Sequence, residues 1–177
     1  MCESISTSYV KYLDATAAVK LVVKELHSET LRNYFGPRTG FVMTPFCFYE
    51  TLSTLKGKWQ GRKDPQGHKA EMTEAAYHDA CYFFLAYVHS RKIDIEEDFI
   101  LSSLGVRSET ERLAKQHGLD FSDSLQLLTI KNGRYKSFAD ASKTLLISDD
   151  KKLVEAAREE GLSVWFLRES NSPPASR

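Results

Sequence analysis

The chain has 177 residues with ordinary apolar and charged fractions, and its acidic and basic side chains balance to a formal net charge of zero. This length suits one domain with a well-buried core, and the zero net charge means that affinity for nucleic acid would have to come from a local basic patch. Because no apolar run is long enough to span a membrane and residues 1–6 do not have the pattern of a signal peptide, we expect a soluble, cytoplasmic protein.

The first predicted strand ends in an acid. Residues 10–13 have the pattern of a buried strand, Asp14 follows it, and an Ala-rich helix over residues 15–25 comes directly afterwards. Ligands of open α/β sheets bind at the carboxyl ends of the strands. Asp14 and Thr16 therefore either offer oxygens to a metal ion or cap the helix, for which both residue types are preferred.

The next segments predict a helix, a strand and a longer helix. Residues 28–35 favour a short helix and residues 40–43 a strand. Thr44 and Pro45 then have the residue types of an N-cap and a first helical position. The helix that follows carries Glu50 among its apolar positions, and such an acid ordinarily points to solvent.

A polar, glycine-containing stretch over residues 56–69 is predicted to be a loop. Basic residues surround Trp59 in it, among them Lys58, Arg62 and Lys63. Basic and aromatic side chains together can bind a phosphate backbone and stack a base. The loop is therefore a candidate RNA contact, with a simple solvated loop as the alternative.

The middle of the chain is dominated by one amphipathic pattern. Apolar spacing over residues 70–91 predicts a long helix, which we interpret as packing in the core or forming a dimer face. A short strand over residues 92–95 follows, and the three acids of residues 96–98 predict a solvated turn.

Two helices and a linker are predicted next. A helix over residues 106–117 should stop at Gly118. Ser122 has the residue type of an N-cap, and Asp123 would begin the helix behind it, where the helix dipole favours an acid. Residues 131–143 are polar and predict a linker with a small turn.

The last third again alternates strand and helix. A buried strand over residues 144–148 ends in Asp149 and Asp150, and a helix over residues 151–160 leads to a strand over residues 163–167. The tail, residues 169–177, is predicted to be disordered. Strands and helices alternate throughout, which predicts an α/β fold with a parallel sheet covered by helices on both faces.

Four acids stand out in this framework: Asp14, Glu50, Asp123 and Asp150. Carboxylates gathered in one cleft repel one another, and a hard divalent cation that prefers oxygen ligands relieves the repulsion. Such a site can activate water and stabilise a displacement at phosphorus. Spacing alone does not establish that the four acids converge.

Four segments resemble, in order, the motifs of the PIN domain family, and especially its VapC-like toxin branch. The similarity runs from about Tyr9 to Leu167. The segments are Tyr-Leu-Asp14-Ala-Thr-Ala-Ala-Val-Lys-Leu, Phe-Tyr-Glu50-Thr-Leu, Gly-Leu-Asp-Phe-Ser-Asp123-Ser-Leu-Gln-Leu and Leu-Ile-Ser148-Asp-Asp150-Lys-Lys-Leu.

The resemblance implies a three-layer α/β/α sandwich with a central parallel sheet, in a single PIN-like domain over residues 1–168. It also implies an endoribonuclease that depends on Mg²⁺ or Mn²⁺. The family's motif acids match the four acids named above. Three of them, Asp14, Asp123 and Asp150, would hold the metal, and Glu50 would complete the site or orient the attacking water.

Further residues enter through the same resemblance. Thr16 and Ser148 would support the site with their hydroxyl groups. Asp150 is preferred to Asp149 because the family acid directly precedes two polar residues and a leucine. Lys20 matches a common lysine of the family, with either an RNA contact or simple solvation on an exposed helix face as its role.

The implied partners are single-stranded or structured RNA, a cognate antitoxin and a second copy in a homodimer. The chain departs from the branch after the third acid, where Ser124-Leu-Gln replaces the usual Ala-Leu-His. Two alternatives remain within the fold, namely a non-catalytic module that binds RNA or protein and a nuclease of RNA processing without an antitoxin. Receiver-like and phosphatase-like domains fit poorly, because Ala15 and Thr16 follow Asp14 where those classes need another acid.

Overall fold

A computed structural model describes residues 10–38, 40–61, 72–96, 103–140 and 143–174. Across these ranges no helix is both long and apolar enough to cross a membrane. The strands and helices in chain order are β1 (Val10–Leu13), α1 (Ala15–Val22), α2 (Ser28–Phe35), β2 (Phe41–Met43), α3 (Pro45–Trp59), α4 (Glu74–His89), β3 (Ile93–Ile95), α5 (Leu104–His117), α6 (Phe121–Asn132), α7 (Lys136–Asp140), β4 (Thr144–Ser148), α8 (Lys151–Glu159) and β5 (Ser163–Phe166).

The five strands form one parallel sheet in the order β3-β2-β1-β4-β5. Phe41 of β2 lies opposite Ile93 of β3, and Leu145 of β4 lies opposite Ser163 of β5. Strand β4 is buried along its whole length, as expected for a parallel strand covered on both faces. The predicted class, a three-layer α/β/α sandwich with a central parallel sheet, is confirmed.

Contacts divide the chain into two compact units. The N-terminal unit comprises residues 13–97, and the C-terminal unit comprises residues 1–12 and 98–177. Helices α1 to α4 belong to the first and helices α5 to α8 to the second.

The N-terminal unit is built around α1, which packs against α2, α3 and α4. Val19, Leu55 and Ala80 bring α1, α3 and α4 together in a buried cluster. The predicted start of α3 is confirmed, because the side chain of Thr44 accepts a hydrogen bond from the backbone N–H of Cys47 at 3.2 Å.

The C-terminal unit places α6 between other helices. This helix packs against α5, α7 and α8 and is buried at every position from 124 to 130. The predicted end of α5 is confirmed, because Gly118 has a φ of 64°, a conformation that glycine adopts without strain.

One predicted loop begins later than expected. Helix α3 continues through Gly57 to Trp59, whereas we expected a loop from residue 56. Leu55 is buried in the core and Trp59 stacks on Tyr77, and this packing outweighs the helix penalty of one glycine, about 1 kcal/mol. The remainder of the expected loop, which contains Arg62 and Lys63, lies largely outside the described residues.

The start and end of α6 also differ from the prediction. Asp120, not Ser122, is the N-cap, and its Oδ1 accepts a hydrogen bond from the backbone N–H of Asp123 at 2.9 Å. The helix extends into the expected linker, where α7 follows it. Asp120 takes the cap because a side chain at this position reaches the N–H group three residues ahead.

Two segments that we expected to be a solvated turn and a disordered tail form hydrogen bonds and an ion pair instead. Glu96, which we placed in a solvated turn, is buried, and its N–H group donates to the carbonyl oxygen of Met43. In the expected disordered tail, the carbonyl oxygen of Ser170 accepts a hydrogen bond from Nε1 of Trp165 at 2.9 Å, and Glu169 pairs with Arg158 at 2.6 Å. Residues 175–177 lie outside the described residues.

Candidate functional site

Asp14 is a buried acid that directly follows the central strand β1 in the chain. The residue is 3% exposed, and its Oδ2 accepts hydrogen bonds from the backbone N–H of Thr16 at 3.2 Å and from the Thr16 hydroxyl at 2.5 Å. The capping role is therefore present through the backbone N–H of Thr16, and the hydroxyl of Thr16 binds the same oxygen. A carboxylate offers about four lone-pair sites, so capping and binding a cation are compatible.

Glu50 lies in the same unit, in the middle of α3. Its side chain is exposed, as is that of its neighbour Tyr49. This agrees with the expectation that an acid at this position faces away from the core. An exposed acid on a helix is accessible to a substrate as well as to water.

Lys20 does not lie on an exposed face, so that expectation was wrong. The residue is 5% exposed, and its Nζ donates to the carbonyl oxygen of Leu26 at 3.0 Å and to Glu25 at 3.3 Å. Buried ammonium groups need such partners, and the chain that leaves α1 supplies them. These contacts give Lys20 a structural role and argue against an RNA contact.

The described part of the expected basic loop is also engaged in packing. Lys58 forms an ion pair with the second carboxylate oxygen of Glu25, so Glu25 joins Lys20 to Lys58. Trp59 is 36% exposed and stacks on Tyr77 with ring centroids 5.0 Å apart. Nothing in the sequence indicated that Glu25 pairs with Lys20. The two residues are five positions apart, whereas side chains of one helix usually pair at a spacing of three or four.

Asp123 occupies the third position of α6, where its backbone N–H donates a hydrogen bond to Oδ1 of Asp120. Its side chain is partly exposed. One turn further on, the buried amide of Gln126 has no hydrogen-bonding partner among the described residues. The sequence led us to place Asp120 in a loop before the helix and to treat Gln126 only as a departure from the motif, although the spacing of Asp120 and Asp123 is that of an N-cap and the residue it caps.

The last motif places two acids in different surroundings. The backbone N–H of Asp150 donates to the hydroxyl of Ser148 at 2.9 Å, and Oδ1 of Asp150 caps α8 by accepting from the N–H of Leu153 at 3.0 Å. Asp149 instead accepts a hydrogen bond from Nε of Arg168 at 3.0 Å. A carboxylate already neutralised by arginine has less to gain from a cation, which supports the choice of Asp150.

A second group of charges lies at the opposite end of α8. Burial raises the pKa of Glu160, but hydrogen bonds from Lys131 and His117 outweigh burial and hold this pKa below its usual value. The two ring nitrogens of His117 lie 3.1 Å from Glu159 and 2.8 Å from Glu160. Because α8 separates Glu160 from Asp150 by about 15 Å, this group stabilises the helices and does not belong to the candidate site.

The donor types suit a hard cation. Mg²⁺ prefers oxygen ligands. Asp14 and Thr16 supply a carboxylate and a hydroxyl in the N-terminal unit, and Asp150 and Ser148 supply the same groups in the C-terminal unit. Within the described ranges, no three His, Cys, Asp or Glu side chains are grouped closely enough to hold a metal ion. The residue types therefore fit the ion, while a ready-made cluster is not present among these residues.

Comparison with known proteins adds information about the fold. No family model and no curated protein matches the chain. Among solved structures, the crystal structure of PAE2754 from Pyrobaculum aerophilum is similar, with a TM-score of 0.51 and 18% sequence identity over 86% of this chain and 87% of that chain. At this identity the similarity shows the fold alone.

Proposed function

We propose that the protein is an endoribonuclease that depends on Mg²⁺ or Mn²⁺ and hydrolyses RNA phosphodiester bonds. The observation that carries the proposal is the buried carboxylate of Asp14 behind the central strand of a parallel sheet. Ligands of such sheets bind at the carboxyl ends of the strands, and carboxylate oxygens are ligands that Mg²⁺ prefers.

The proposed roles follow the four acids. Asp14, Asp123 and Asp150 would hold the ion, and Glu50 would complete the site or orient the attacking water. The bound ion would supply charge stabilisation to the phosphate oxygens and lower the pKa of water. Thr16 would keep the Asp14 carboxylate in place through its two hydrogen bonds.

The proposed metal-binding role of Asp150 is supported by the turn that follows β4. The hydroxyl of Ser148 accepts from the backbone N–H of Asp150, and the cap contact to Leu153 involves one carboxylate oxygen. Backbone and side chain are thus both restrained. A restrained carboxylate loses little conformational freedom when it binds a cation.

RNA binding would draw on the end of α3 and the residues that follow it. Lys58, Trp59, Arg62 and Lys63 would contact the phosphate backbone and a base, while the buried Lys20 is left out of this proposal. To bind a phosphate group, Lys58 would have to give up its ion pair with Glu25. The net charge of zero makes such local contacts necessary.

A role as the toxin of a toxin–antitoxin pair, with a cognate antitoxin and a homodimer, extends the proposal and rests on the resemblance alone. Induced expression in a bacterial host should then arrest growth. The variant Asp123→Asn, produced at the same level, should not.

The direct test is cleavage of labelled single-stranded RNA with Mg²⁺ or Mn²⁺, compared with EDTA. Asp123→Asn should abolish cutting. Asp120→Asn is the matched control, because it changes an acid three residues away in the same helix start and asparagine still caps a helix. It should cut RNA as the unchanged protein does.

Each outcome has a distinct meaning. Cutting that survives Asp123→Asn, or that persists in EDTA, would contradict the metal-dependent mechanism. RNA binding without any cutting or metal binding would favour a non-catalytic binding module. Unfolding of Asp123→Asn, measured by its melting temperature, would show that Asp123 has a structural role instead.

A further inference from the structure

The side chain of Gln126 is the starting point. It is 1% exposed, and neither Oε1 nor Nε2 has a hydrogen-bonding partner in the part of the chain that the structure describes. The buried hydroxyls of Ser124 and Thr129 on the same helix are bonded, to the carbonyl oxygens of Asp120 at 2.6 Å and Leu125 at 2.8 Å. Gln126 therefore differs from its polar neighbours on α6.

Packing does not explain an amide at this position. A buried amide that makes no hydrogen bond loses its hydration without compensation. A leucine or methionine would fill a similar volume at no such cost. The amide therefore needs a polar group beside it.

Helix geometry indicates where that group lies. Gln126 follows Asp123 by three residues, which places both on one face of α6. Side chains of a helix incline toward its N-terminus, so the amide leans toward the turn that carries Asp123. An amide both donates and accepts hydrogen bonds, as a water molecule does.

We propose that Gln126 is a positioning residue for Asp123. Its Nε2 donates a hydrogen bond to a water molecule, and this water donates to the Asp123 carboxylate, which is thereby held ready for a divalent cation. The inference rests on the proposed metal-binding role of Asp123. It adds a residue at the position where the chain departs from the motif that it otherwise resembles.

Mn²⁺ binding to the full chain, measured by calorimetry, tests this role. Gln126→Leu should weaken Mn²⁺ binding by about 10- to 100-fold, the range usual for groups that orient a metal ligand. Its melting temperature should stay the same or rise, because an unpaired buried amide is removed. Gln126→His keeps a donor and an acceptor and should retain most of the affinity.

Thr129→Val is the matched control. It also removes a buried polar group from α6, but one that is bonded to the backbone of its own helix. It should leave Mn²⁺ binding unchanged. Wild-type affinity in Gln126→Leu would overturn the inference, and so would a protein that binds no Mn²⁺.

A second readout needs no substitution at Gln126 and does not depend on cleavage. The side-chain amide signals of Gln126 in an NMR spectrum should shift when Mg²⁺ is added, and should not shift in Asp123→Asn. Signals that stay in place would overturn the inference. Shifted signals without RNA cleavage would support the role of Gln126 and contradict the proposed nuclease function. RNA cleavage with unshifted signals would support the nuclease function and contradict the role of Gln126.

Discussion

The Thr16 hydroxyl donates a hydrogen bond to Oδ2 of Asp14 across 2.5 Å, at the point where β1 passes into α1. The backbone N–H of Thr16 donates to the same oxygen. One residue therefore restrains the buried carboxylate through two groups, and only one of them depends on the side chain.

Thr16→Val should separate these two contributions. Valine has nearly the shape of threonine but lacks the hydroxyl, so the backbone bond remains and the side-chain bond is lost. We expect RNA cleavage to fall by about 10- to 100-fold and the free energy of unfolding by about 1 kcal/mol. Cleavage rates and urea unfolding measure the two effects. Thr16→Ser, which keeps the hydroxyl, should change neither strongly, and full cleavage by Thr16→Val would contradict the role of Thr16.

Asp120 should matter for stability in a way that asparagine can replace. Asp120→Ala removes the acceptor that binds the N–H of Asp123 and should lower the free energy of unfolding by about 1 kcal/mol. Asp120→Asn should stay close to the unchanged protein. Urea unfolding of both variants tests this, and equal stability of alanine and asparagine at this position would show that the cap contributes nothing.

Glu160 should make the protein sensitive to acid. Because its pKa is lowered in the folded chain, its stabilising contribution is present above the pKa of an unfolded glutamate, about 4.3, and disappears as the pH falls through the lower, folded value. Glu160→Gln should lower the free energy of unfolding at pH 7 by about 1–3 kcal/mol. It should also flatten the loss of stability below about pH 4.3.

Glu155→Gln is the control on the same helix. Glu155 pairs with Lys151 at the surface, and such pairs contribute little, about 0.5 kcal/mol or less. Urea unfolding between pH 3 and pH 7 compares the two variants, with the pH range set by the titration of carboxylates. If both behave alike, Glu160 has no special role in the acid response.

The two lysines that share Glu25 should respond differently to substitution. Lys20→Met removes a buried ion pair and should lower the melting temperature without changing RNA affinity. Lys58→Met should weaken RNA binding and reduce its salt dependence by about one counterion. RNA affinity measured at several salt concentrations distinguishes them. Weaker RNA binding in a stable Lys20→Met variant would restore Lys20 as an RNA contact.

Much of the fold could be predicted from rules that involve only a few neighbouring residues. The Thr44–Pro45 start of α3, the Gly118 end of α5 and the uninterrupted apolar run of β4 each depend on a few adjacent residues, and all three were predicted. The prediction failed at Gly57, where packing of Leu55 and Trp59 decides the outcome. Such contacts join residues distant in the chain and leave no local signal.

The same distinction applies to the candidate site. The helix cap at Asp14 could be inferred from its neighbours, whereas the pairing of Lys20 with Glu25 depends on how the chain turns after α1. The burial of Gln126 could not be recognised, because α6 is buried at every position from 124 to 130 and so lacks the apolar spacing that distinguishes a buried face from an exposed one. Its burial follows from the helices around it.

The chain has two tryptophans, and they fall in different compact units. Trp59 of the N-terminal unit is partly exposed against Tyr77, whereas Trp165 of the C-terminal unit is almost completely buried. Fluorescence from Trp165 should therefore be bluer than that from Trp59. Replacing either one by phenylalanine would leave a single emitter, and the pair of variants would report whether the two units lose their structure together or one after the other.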